Sequence, residues 1–239
     1  MKKSTIITLS CFVAIELVML CLILWGPSKY LNIFEFSSIV VAFAFSLFFV
    51  CKSPKILLTE FALLFTVIAD LFLEIVSPMV QTVAMTAFTI VQLLHFGRLL
   101  LELETKKWRI INICLRFIVV LIVETITILV LKDKVDYLSV ISMFYFSNLI
   151  ANIVLAFVEF KKSPLLAIGL LLFLGCDIFV GLQSAIGVYI DVPTTSLLYK
   201  IVFTPFNISW LCYLPSQVLI STSILNVNKN ISLIKNKNW

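Results

Sequence analysis

The stretch LLFTVIADLFLE, residues 63–74, is apolar along most of its length and yet carries a carboxyl group at Asp70. A second stretch of the same kind, LLFLGCDIFVGLQ at residues 171–183, carries Asp177. Each stretch belongs to a run of about 20 mostly apolar residues, the length of a helix that crosses the hydrocarbon core of a bilayer. The two stretches therefore predict membrane-spanning helices with an ionisable group inside the membrane.

The composition of the whole chain is that of a membrane protein. Of the 239 residues, 62% are hydrophobic and 13% are charged, whereas about a quarter of the residues of a soluble domain are charged. The charged residues cluster between apolar runs that are too long and too uniform for barrel strands. Because only helices and closed barrels satisfy the backbone inside a bilayer, we predict an all-α integral membrane protein.

Eight transmembrane helices are predicted, and they form a single domain over residues 1–224 that is followed by a short basic tail at 225–239. The predicted spans are 5–25, 33–51, 56–75, 79–103, 110–131, 138–160, 165–190 and 197–224. The first span follows the sequence MKKS and could be a signal peptide. No small-residue cleavage site follows it and seven more spans do, so we treat it as a helix.

Lysine and arginine indicate the orientation, because cytoplasmic loops of membrane proteins are enriched in both. Twelve of them fall on the side of the termini and four on the other side. The twelve are Lys2, Lys3, Lys52, Lys55, Lys106, Lys107, Arg109, Lys161, Lys162, Lys229, Lys235 and Lys237; the four are Lys29, Lys132, Lys134 and Lys200. We therefore predict a bacterial plasma-membrane protein with both termini in the cytoplasm. Its net charge is +5, and we expect the basic side chains to contact anionic lipids and not nucleic acid.

Two stretches of the sequence are similar to each other. The tripeptide KSP occurs at 52–54 and at 162–164, and each copy leads through an apolar run with LLF to an aspartate. Two four-helix units in the same orientation would produce this pattern, as in carriers with parallel repeats. The two units would be 1–105 and 106–224. Coincidence in a low-complexity apolar chain is the other explanation, and both stay open here.

The two aspartates are expected at similar depth. At about 1.5 Å per residue, Asp70 lies ~21 Å and Asp177 ~18 Å from the cytoplasmic ends of their predicted spans. Charge at that depth costs several kcal/mol unless it is paired, hydrated or removed by protonation. We therefore expect the two carboxyl groups to approach each other across one water-accessible cavity, away from lipid.

Polar side chains on three other spans recur every three or four residues, on one helix face, and could line the same cavity. They are Gln92, His95, Arg98 and Glu102 on the fourth span, Tyr145, Asn148 and Asn152 on the sixth, and Asn207, Tyr213 and Gln217 on the eighth. The candidate substrate-binding residues are His95, Asn148, Asn207, Tyr213 and Gln217. Asparagine side chains also join helices without any further role. Arg98 and Arg116 are expected to extend to the cytoplasmic surface, and Glu74 to be hydrated at the outer interface.

Residue types exclude several kinds of catalytic site. The chain has one histidine, His95, and it lacks a G-x-S-x-G elbow, an H-E-x-x-H helix and a phosphate-binding P-loop. Its six cysteines form no C-x-x-C pair and are expected in the core. No metal-ligand spacing appears, so neither a metal nor a cofactor is predicted. Asp70 and Asp177 remain as the predicted catalytic residues, a pair of buried carboxyl groups suited to acid–base chemistry.

Three stretches of the sequence together carry a family resemblance. They are ALLFTVIADLFLE at 62–74, LLFLGCDIFVGLQ at 171–183 and CYLPSQVLIS at 212–221. The first two resemble the aspartate signatures of the YhhN-type lysoplasmalogenase family, and the third is similar to its closing Tyr-x-x-x-Gln-x-Leu-Ile stretch. The number of spans and the chain length also fit that family. Three residues depart from the family pattern: Cys176, Arg98 and Pro215.

The resemblance implies an enzyme that hydrolyses the vinyl-ether bond of a lysoplasmalogen, a membrane lipid, to a fatty aldehyde and a glycerophospho-alcohol. It implies that Asp70 and Asp177 share the acid and base roles. His95, Tyr213 and Gln217 match the family motifs and are expected nearer to the cytoplasmic end, where they would orient the head group or water. The chemistry suits two carboxyl groups, because a vinyl ether is cleaved by protonation at carbon and attack of water on an oxocarbenium ion.

Two other functions fit the same residues. Parallel halves with one intramembrane aspartate each also suit a proton-coupled transporter of a small solute. A third possibility is a bundle without chemistry, whose polar side chains only hold its helices together. The sequence leaves the hydrolase, the transporter and the structural bundle open.

Overall fold

The structure is a computed structural model that describes residues 3–49, 53–76, 81–187, 191–204 and 206–237, with side chains up to Val227. Eight helices in this part of the chain are long and apolar enough to cross a bilayer, and no strand occurs in it. The protein is therefore an all-α, multi-pass integral membrane protein, as the sequence predicts.

The helices are α1 Lys3–Trp25, α2 Leu31–Leu47, α3 Pro54–Asp70, α4 Gln81–Leu100, α5 Lys106–Leu131, α6 Tyr137–Val158, α7 Pro164–Ala185, α8 Leu197–Val202 and α9 Ile208–Lys237. A π-helical turn, Leu71–Val76, continues α3. Short 3-10 turns at Ser28–Tyr30 and Lys132–Lys134 precede α2 and follow α5. Helices α1 to α7 and α9 are the eight candidate spans.

The predicted start of the eighth span is wrong. Residues 197–224 contain the short helix α8 and the first part of α9, and the described residues between them, 203–204 and 206–207, are not helical. The sequence of the break, FTPFN, contains a proline, and the residue before a proline disfavours helical geometry. Helix α9 then continues past 224 to Lys237, so no helix end separates the predicted basic tail from the last span.

The other described span limits lie within four residues of the predicted ones. The predicted limits at 51, 79 and 190 fall outside the described residues. Hydropathy thus locates the spans well where a loop of charged residues separates them. It fails at the eighth span, where α8 is itself apolar.

Local sequence signals explain several helix starts. Pro54 and Pro164 begin α3 and α7, at a position where the missing N–H of proline has no helical partner to lose. Asp136 caps α6 because its carboxylate accepts from the backbone N–H of Ser139 at 2.7 Å, and the backbone N–H of Asp136 donates to the Ser139 hydroxyl. This capping box holds the pKa of Asp136 below its ordinary value.

Helix neighbours follow the same order in the two halves of the chain. In the first half, α1 packs on α2, α2 on α3, and α3 on α4; in the second half, α5 packs on α6, α6 on α7, and α7 on α9. The halves meet through α2 with α9 and through α4 with α6, two pairs that a two-fold rotation would exchange, and also through α1 and α3 with α9. Parallel four-helix repeats would give this arrangement. The repeat stays a prediction, which superposition of the halves tests.

Helices α7 and α9 pack closely at a glycine. A Cβ atom on Gly169 would lie 2.8 Å from Cγ1 of Ile220 and 3.2 Å from the carbonyl oxygen of Ser216. Small residues at such contacts allow helix backbones in membranes to approach each other. The contact holds α9, which carries Tyr213, against α7, which carries Asp177.

Glu102, just after α4, joins the starts of α3 and α7. The Lys55 ammonium group pairs with its Oε2 at 2.5 Å, and the Ser163 hydroxyl donates to Oε1 at 3.3 Å. Lys162 donates to the main-chain oxygen of Glu102 at 2.8 Å. A hydrogen bond to Glu159 raises the pKa of Lys162. The two KSP regions therefore meet at one carboxylate.

The outward faces of the helices are apolar, as contact with lipid requires. Phe117 and Leu129 on α5, for example, are 64% and 66% exposed. Of the six cysteines expected in the core, Cys51 lies outside the described residues, and the other five are in the core only in part. Cys176 is buried and Cys212 is half-buried, whereas Cys11, Cys21 and Cys114 face outward.

Candidate active site

Asp70 lies where α3 changes from α-helical to π-helical geometry. The turn Leu71–Val76 follows it directly, and π-helical turns occur frequently at functional sites. The side chain is 2% exposed, and the hydroxyl of Tyr213 on α9 donates to its Oδ2 at 2.7 Å. At about 24 Å along the helix from Pro54, this carboxyl group is well inside the membrane-spanning region.

The expectation that Tyr213 lies nearer than Asp70 to the cytoplasmic end is wrong. Helix α9 begins at Ile208 and not at 197, so Tyr213 is only five residues from the end of α9 that lies opposite to the chain termini. Its hydroxyl group consequently reaches the depth of Asp70 and bonds to it.

Asp177 has a tyrosine partner of its own. It lies on α7 about 20 Å from Pro164 and is half-buried. The hydroxyl of Tyr145 on α6 donates to its Oδ2 at 2.5 Å. Each aspartate is thus held by a tyrosine from a neighbouring helix, and Asp177 is the more accessible of the two.

An aromatic group lies between the two aspartates. The ring of Phe173 is centred 5.3 Å from the ring of Tyr213 and 6.4 Å from that of Tyr145. Phe88 of α4 packs against Phe173 and Tyr145, at 5.9 Å from each. The thiol of Cys176 is in electrostatic range of both carboxyl groups. The two aspartates therefore belong to one cluster of contacts, joined through aromatic rings.

Two glutamates complete this cluster. Glu35 of α2 is 3% exposed, and the side-chain amide of Asn207 donates to its Oε1 at 3.0 Å. Its carboxyl group is within hydrogen-bonding reach of Glu74 and in electrostatic range of Asp70. Two carboxyl groups this close together repel each other when both are ionised. Glu74 is half-buried and engaged with Glu35, so it is not simply hydrated at the interface as expected.

We call this group of residues the carboxyl cluster: Glu35, Asp70, Glu74, Asp177, Tyr145, Asn207 and Tyr213. Four of the seven predicted site residues belong to it, namely Asp70, Asp177, Asn207 and Tyr213. The other three, His95, Asn148 and Gln217, lie outside its hydrogen bonds in the described part of the chain.

Neither Glu35 nor Tyr145 is among the predicted site residues, although each stands in a sequence context that points to a role. Glu35 is only two residues inside the predicted second span and therefore looks interfacial, but an ionisable residue within a span is functional by default. Tyr145 shares a helix face with Asn148, one turn away. Selecting Tyr145 would have required knowing that this face of α6 meets α7 at Asp177.

Asn148, a predicted substrate-binding residue, is engaged by the protein itself. Arg116 of α5 donates to Oδ1 of Asn148 at 3.1 Å and to Oδ1 of Asn152 at 2.6 Å, and its guanidinium carbon lies 3.5 Å from the centre of the Phe96 ring. The expectation that Arg116 extends to the surface is wrong, because these groups satisfy it inside, at 8% exposure. Asn152 in turn donates to Gln92 of α4 at 2.9 Å, so this network joins α4, α5 and α6.

Arg98 is also held inside the bundle, contrary to expectation. Its Nη1 donates to the hydroxyl of Thr59 on α3 at 2.8 Å and to that of Ser223 on α9 at 2.7 Å, and the residue is 0% exposed. His95 and Gln217 are buried nearby on α4 and α9, each at 1% exposure. Nδ1 of His95 and Nε2 of Gln217 have no hydrogen-bond partner within the described residues.

The cavity expected between the aspartates stays a prediction. Asp70 is 2% exposed, and Tyr145 and Tyr213 are each 4% exposed, whereas Asp177 and Glu74 are half-buried. A concavity of 240 Å³ lies beside α5 and α6. It is lined by Glu124, Tyr137, Val140, Ile141 and Phe144.

Comparisons of the chain with protein-family models, with curated proteins and with solved structures gave no match.

Proposed function

We propose that the protein is an intramembrane hydrolase that cleaves the vinyl-ether bond of lysoplasmalogen-type lipids by acid–base catalysis. One observation carries this proposal. Asp70 and Asp177, two aspartates inside the membrane-spanning region, each accept a hydrogen bond from a tyrosine and are joined through the ring of Phe173.

The chemistry assigns one role to each carboxyl group. The protonated one delivers its proton to the alkenyl carbon that is not bonded to oxygen, which leaves an oxocarbenium ion at the other carbon. The ionised one accepts a proton from the water molecule that attacks this cation. The resulting hemiacetal breaks down to the glycerophospho-alcohol and the fatty aldehyde. Tyr145 and Tyr213 occupy one oxygen of each aspartate, which leaves the other oxygen for proton exchange.

The resemblance to the YhhN-type lysoplasmalogenase family supports the same reaction. Tyr213, from the third stretch that resembles the family, donates to Asp70, from the first. Residues that are distant in sequence but shared with the family signatures therefore meet in space. Cys176, which departs from the family pattern, is directly beside Asp177 and is a candidate determinant of substrate choice.

The orientation forms part of the proposal. With both termini in the cytoplasm of a bacterial plasma membrane, the basic side of the bundle contacts anionic lipids. Asp70 is then about 24 Å from the cytoplasmic start of α3, so the carboxyl cluster lies in the outer half of the bilayer. The lipid substrate would reach the cluster from that leaflet.

Hydrolysis by purified protein in detergent tests the proposal. We expect release of a long-chain aldehyde from a 1-alkenyl lysophospholipid and no reaction with the 1-acyl analogue, because an ester is not activated by protonation at carbon. Asp70→Asn and Asp177→Asn should each lower the rate by about 10²–10⁴-fold, the usual effect of losing a general acid or base. Asp133→Asn, an exposed aspartate outside the site, is the matched control. An intact alkenyl lipid across pH and head groups, with folded protein, would overturn the proposal.

A proton-coupled transporter of a small solute is the second candidate. The proximity of Glu35 and Glu74 favours it, because two neighbouring carboxyl groups near one end of the bundle suit proton uptake. Solute-driven acidification of proteoliposomes, abolished in Asp70→Asn, would support the transporter. If the protein shows neither hydrolysis nor transport, the remaining candidate is the bundle without chemistry.

A further inference from the structure

Buried polar groups without partners line the interior between the carboxyl cluster and Arg98. They are Nε2 of Gln92 and Nδ1 of His95 on α4, and Oγ of Ser216 and Nε2 of Gln217 on α9, none of which has a hydrogen-bond partner in the described part of the chain. All four residues are 0% or 1% exposed. A buried polar group left unpaired costs about 1–3 kcal/mol, so four of them in one region call for a physical reason.

These four groups, which we call the column, lie along α4 and α9 between two levels at which the helices share contacts, although α4 and α9 are not a closely packed pair. On the side of the carboxyl cluster, Phe88 of α4 and Tyr213 of α9 both contact the ring of Phe173, at 5.9 and 5.3 Å. On the other side, Nη1 of Arg98 donates to Oγ of Ser223 at 2.7 Å. Ten residues separate the two joined positions on each helix, so both segments span about 15 Å.

Arg98 lies at one end of the column, and two of its three guanidinium nitrogens also lack an acceptor in the described part of the chain. Its Nε and Nη2 have no partner among the described residues. The carboxylate of Glu102, one turn away, is already bonded to Lys55 and Ser163. A buried guanidinium with free donors is more costly than a neutral amide, so this end of the column also requires an oxygen acceptor.

We propose that the column between α4 and α9 is the route by which water reaches the carboxyl cluster, and that the structure shows it closed. Groups one helical turn apart are about 5–6 Å from each other at Cβ, a distance that one water molecule bridges. Water entering the column would satisfy each unpaired group, as buried water does in other proteins. The positive charge of Arg98 repels protons and cations but not neutral water. The role of this water in hydrolysis rests on the proposed function; its entry into the column does not.

Hydroxyl-radical footprinting of the full-length protein in lipid nanodiscs tests the route. X-rays generate radicals from water, which oxidise side chains in contact with it, and mass spectrometry measures each site. We expect His95, at 1% exposure, to be oxidised several-fold faster than Phe12 and Phe45. These two rings are buried to a similar degree, at 3% and 4% exposure, and they stack on each other in a separate apolar cluster between α1, α2 and α9.

Two variants locate the water. Gln217→Met, which keeps the volume but removes the amide, should lower His95 oxidation several-fold. Ser216→Ala provides a smaller change in the same direction. Phe12 and Phe45 report folding in the same experiment, because a misfolded variant would expose them and raise their oxidation.

Each outcome decides the proposal. Oxidation of His95 as slow as that of Phe12 and Phe45 overturns the route, and so does fast oxidation that Gln217→Met leaves unchanged in a folded protein. Fast oxidation of His95 that falls in Gln217→Met supports it. Lipid cleavage without fast His95 oxidation would overturn the water route and support the hydrolase function. Fast His95 oxidation without lipid cleavage would support the water route and overturn the hydrolase function.

Discussion

The hydrogen bond from Tyr213 to Asp70 joins residues that are 143 positions apart in the chain. It ties the π-helical end of α3 to α9, and the bond from Tyr145 to Asp177 ties α6 to α7 in the same way. Hydrogen bonds between membrane helices contribute about 0.6–2 kcal/mol each, so neither bond dominates the stability of the bundle. Their larger effect is to fix the position of each carboxyl group.

Replacement of one tyrosine tests this positioning role. Tyr213→Phe removes the donor to Asp70 and keeps the ring that packs on Phe173. Loss of a hydrogen bond to a carboxyl group costs about 1.5–3 kcal/mol, so we expect hydrolysis to slow by about 10- to 100-fold. The measurements are the rate of aldehyde release and the thermal unfolding of the same sample.

Tyr137→Phe is the control, because Tyr137 is 62% exposed and lies at the start of α6, about 12 Å along the helix from Tyr145. It should match the wild type in rate and in stability. A Tyr213→Phe protein with unchanged rate and unchanged unfolding temperature would contradict the positioning role.

Among single residues, the sequence predicts those whose local context is unusual. Asp70 and Asp177 stand out because they interrupt apolar stretches, and Tyr213 stands out through its motif. Which groups meet across helices depends on helix rotation and depth, and a local pattern does not contain these. For that reason the sequence predicts neither the place of Glu35 in the carboxyl cluster nor the burial of the Arg98 side chain.

At the scale of helices, hydropathy predicts the spans because each must bury about 20 residues in lipid. It cannot separate α8 from α9, since both are apolar and only the sequence FTPFN marks the break. That error shifts the predicted helix start by eleven residues, from 208 to 197. It is also the reason that the depth of Tyr213 is predicted wrongly.

The close contact of α7 with α9 leads to a prediction for Gly169 of α7. Gly169→Ala places a methyl group 2.8 Å from Ile220 and 3.2 Å from the backbone of α9, which forces the two helices apart. Overpacking of this kind costs about 1–3 kcal/mol, so we expect a lower unfolding temperature in detergent.

Gly181 of the same helix is the matched control. A Cβ atom there meets nothing within 4 Å, so Gly181→Ala should be neutral or stabilise by up to about 1 kcal/mol through helix propensity. Equal unfolding temperatures for the two variants would show that α7 and α9 are not in close contact at Gly169.

For the whole molecule, the matching order of helix neighbours in the two halves suits a parallel repeat, and the basic residues predict its orientation. Single cysteines in a background without native cysteines test that orientation. An impermeant maleimide should label Asp133→Cys and Thr195→Cys in intact cells. Lys107→Cys and Lys161→Cys should react only after permeabilisation. The opposite pattern would invert the protein and move the carboxyl cluster to the cytoplasmic half of the bilayer.

The most direct test of the account is alkenyl lysophospholipid hydrolysis in heavy water, with the aldehyde trapped by reduction as it forms. Protonation at carbon by Asp70 or Asp177 must place one solvent deuterium on the carbon next to the former carbonyl group. We predict this single deuterium in the wild-type product and a loss of product in both asparagine variants. An aldehyde without deuterium at that carbon, or one formed equally fast by Asp70→Asn and Asp177→Asn, would contradict catalysis by the two aspartates.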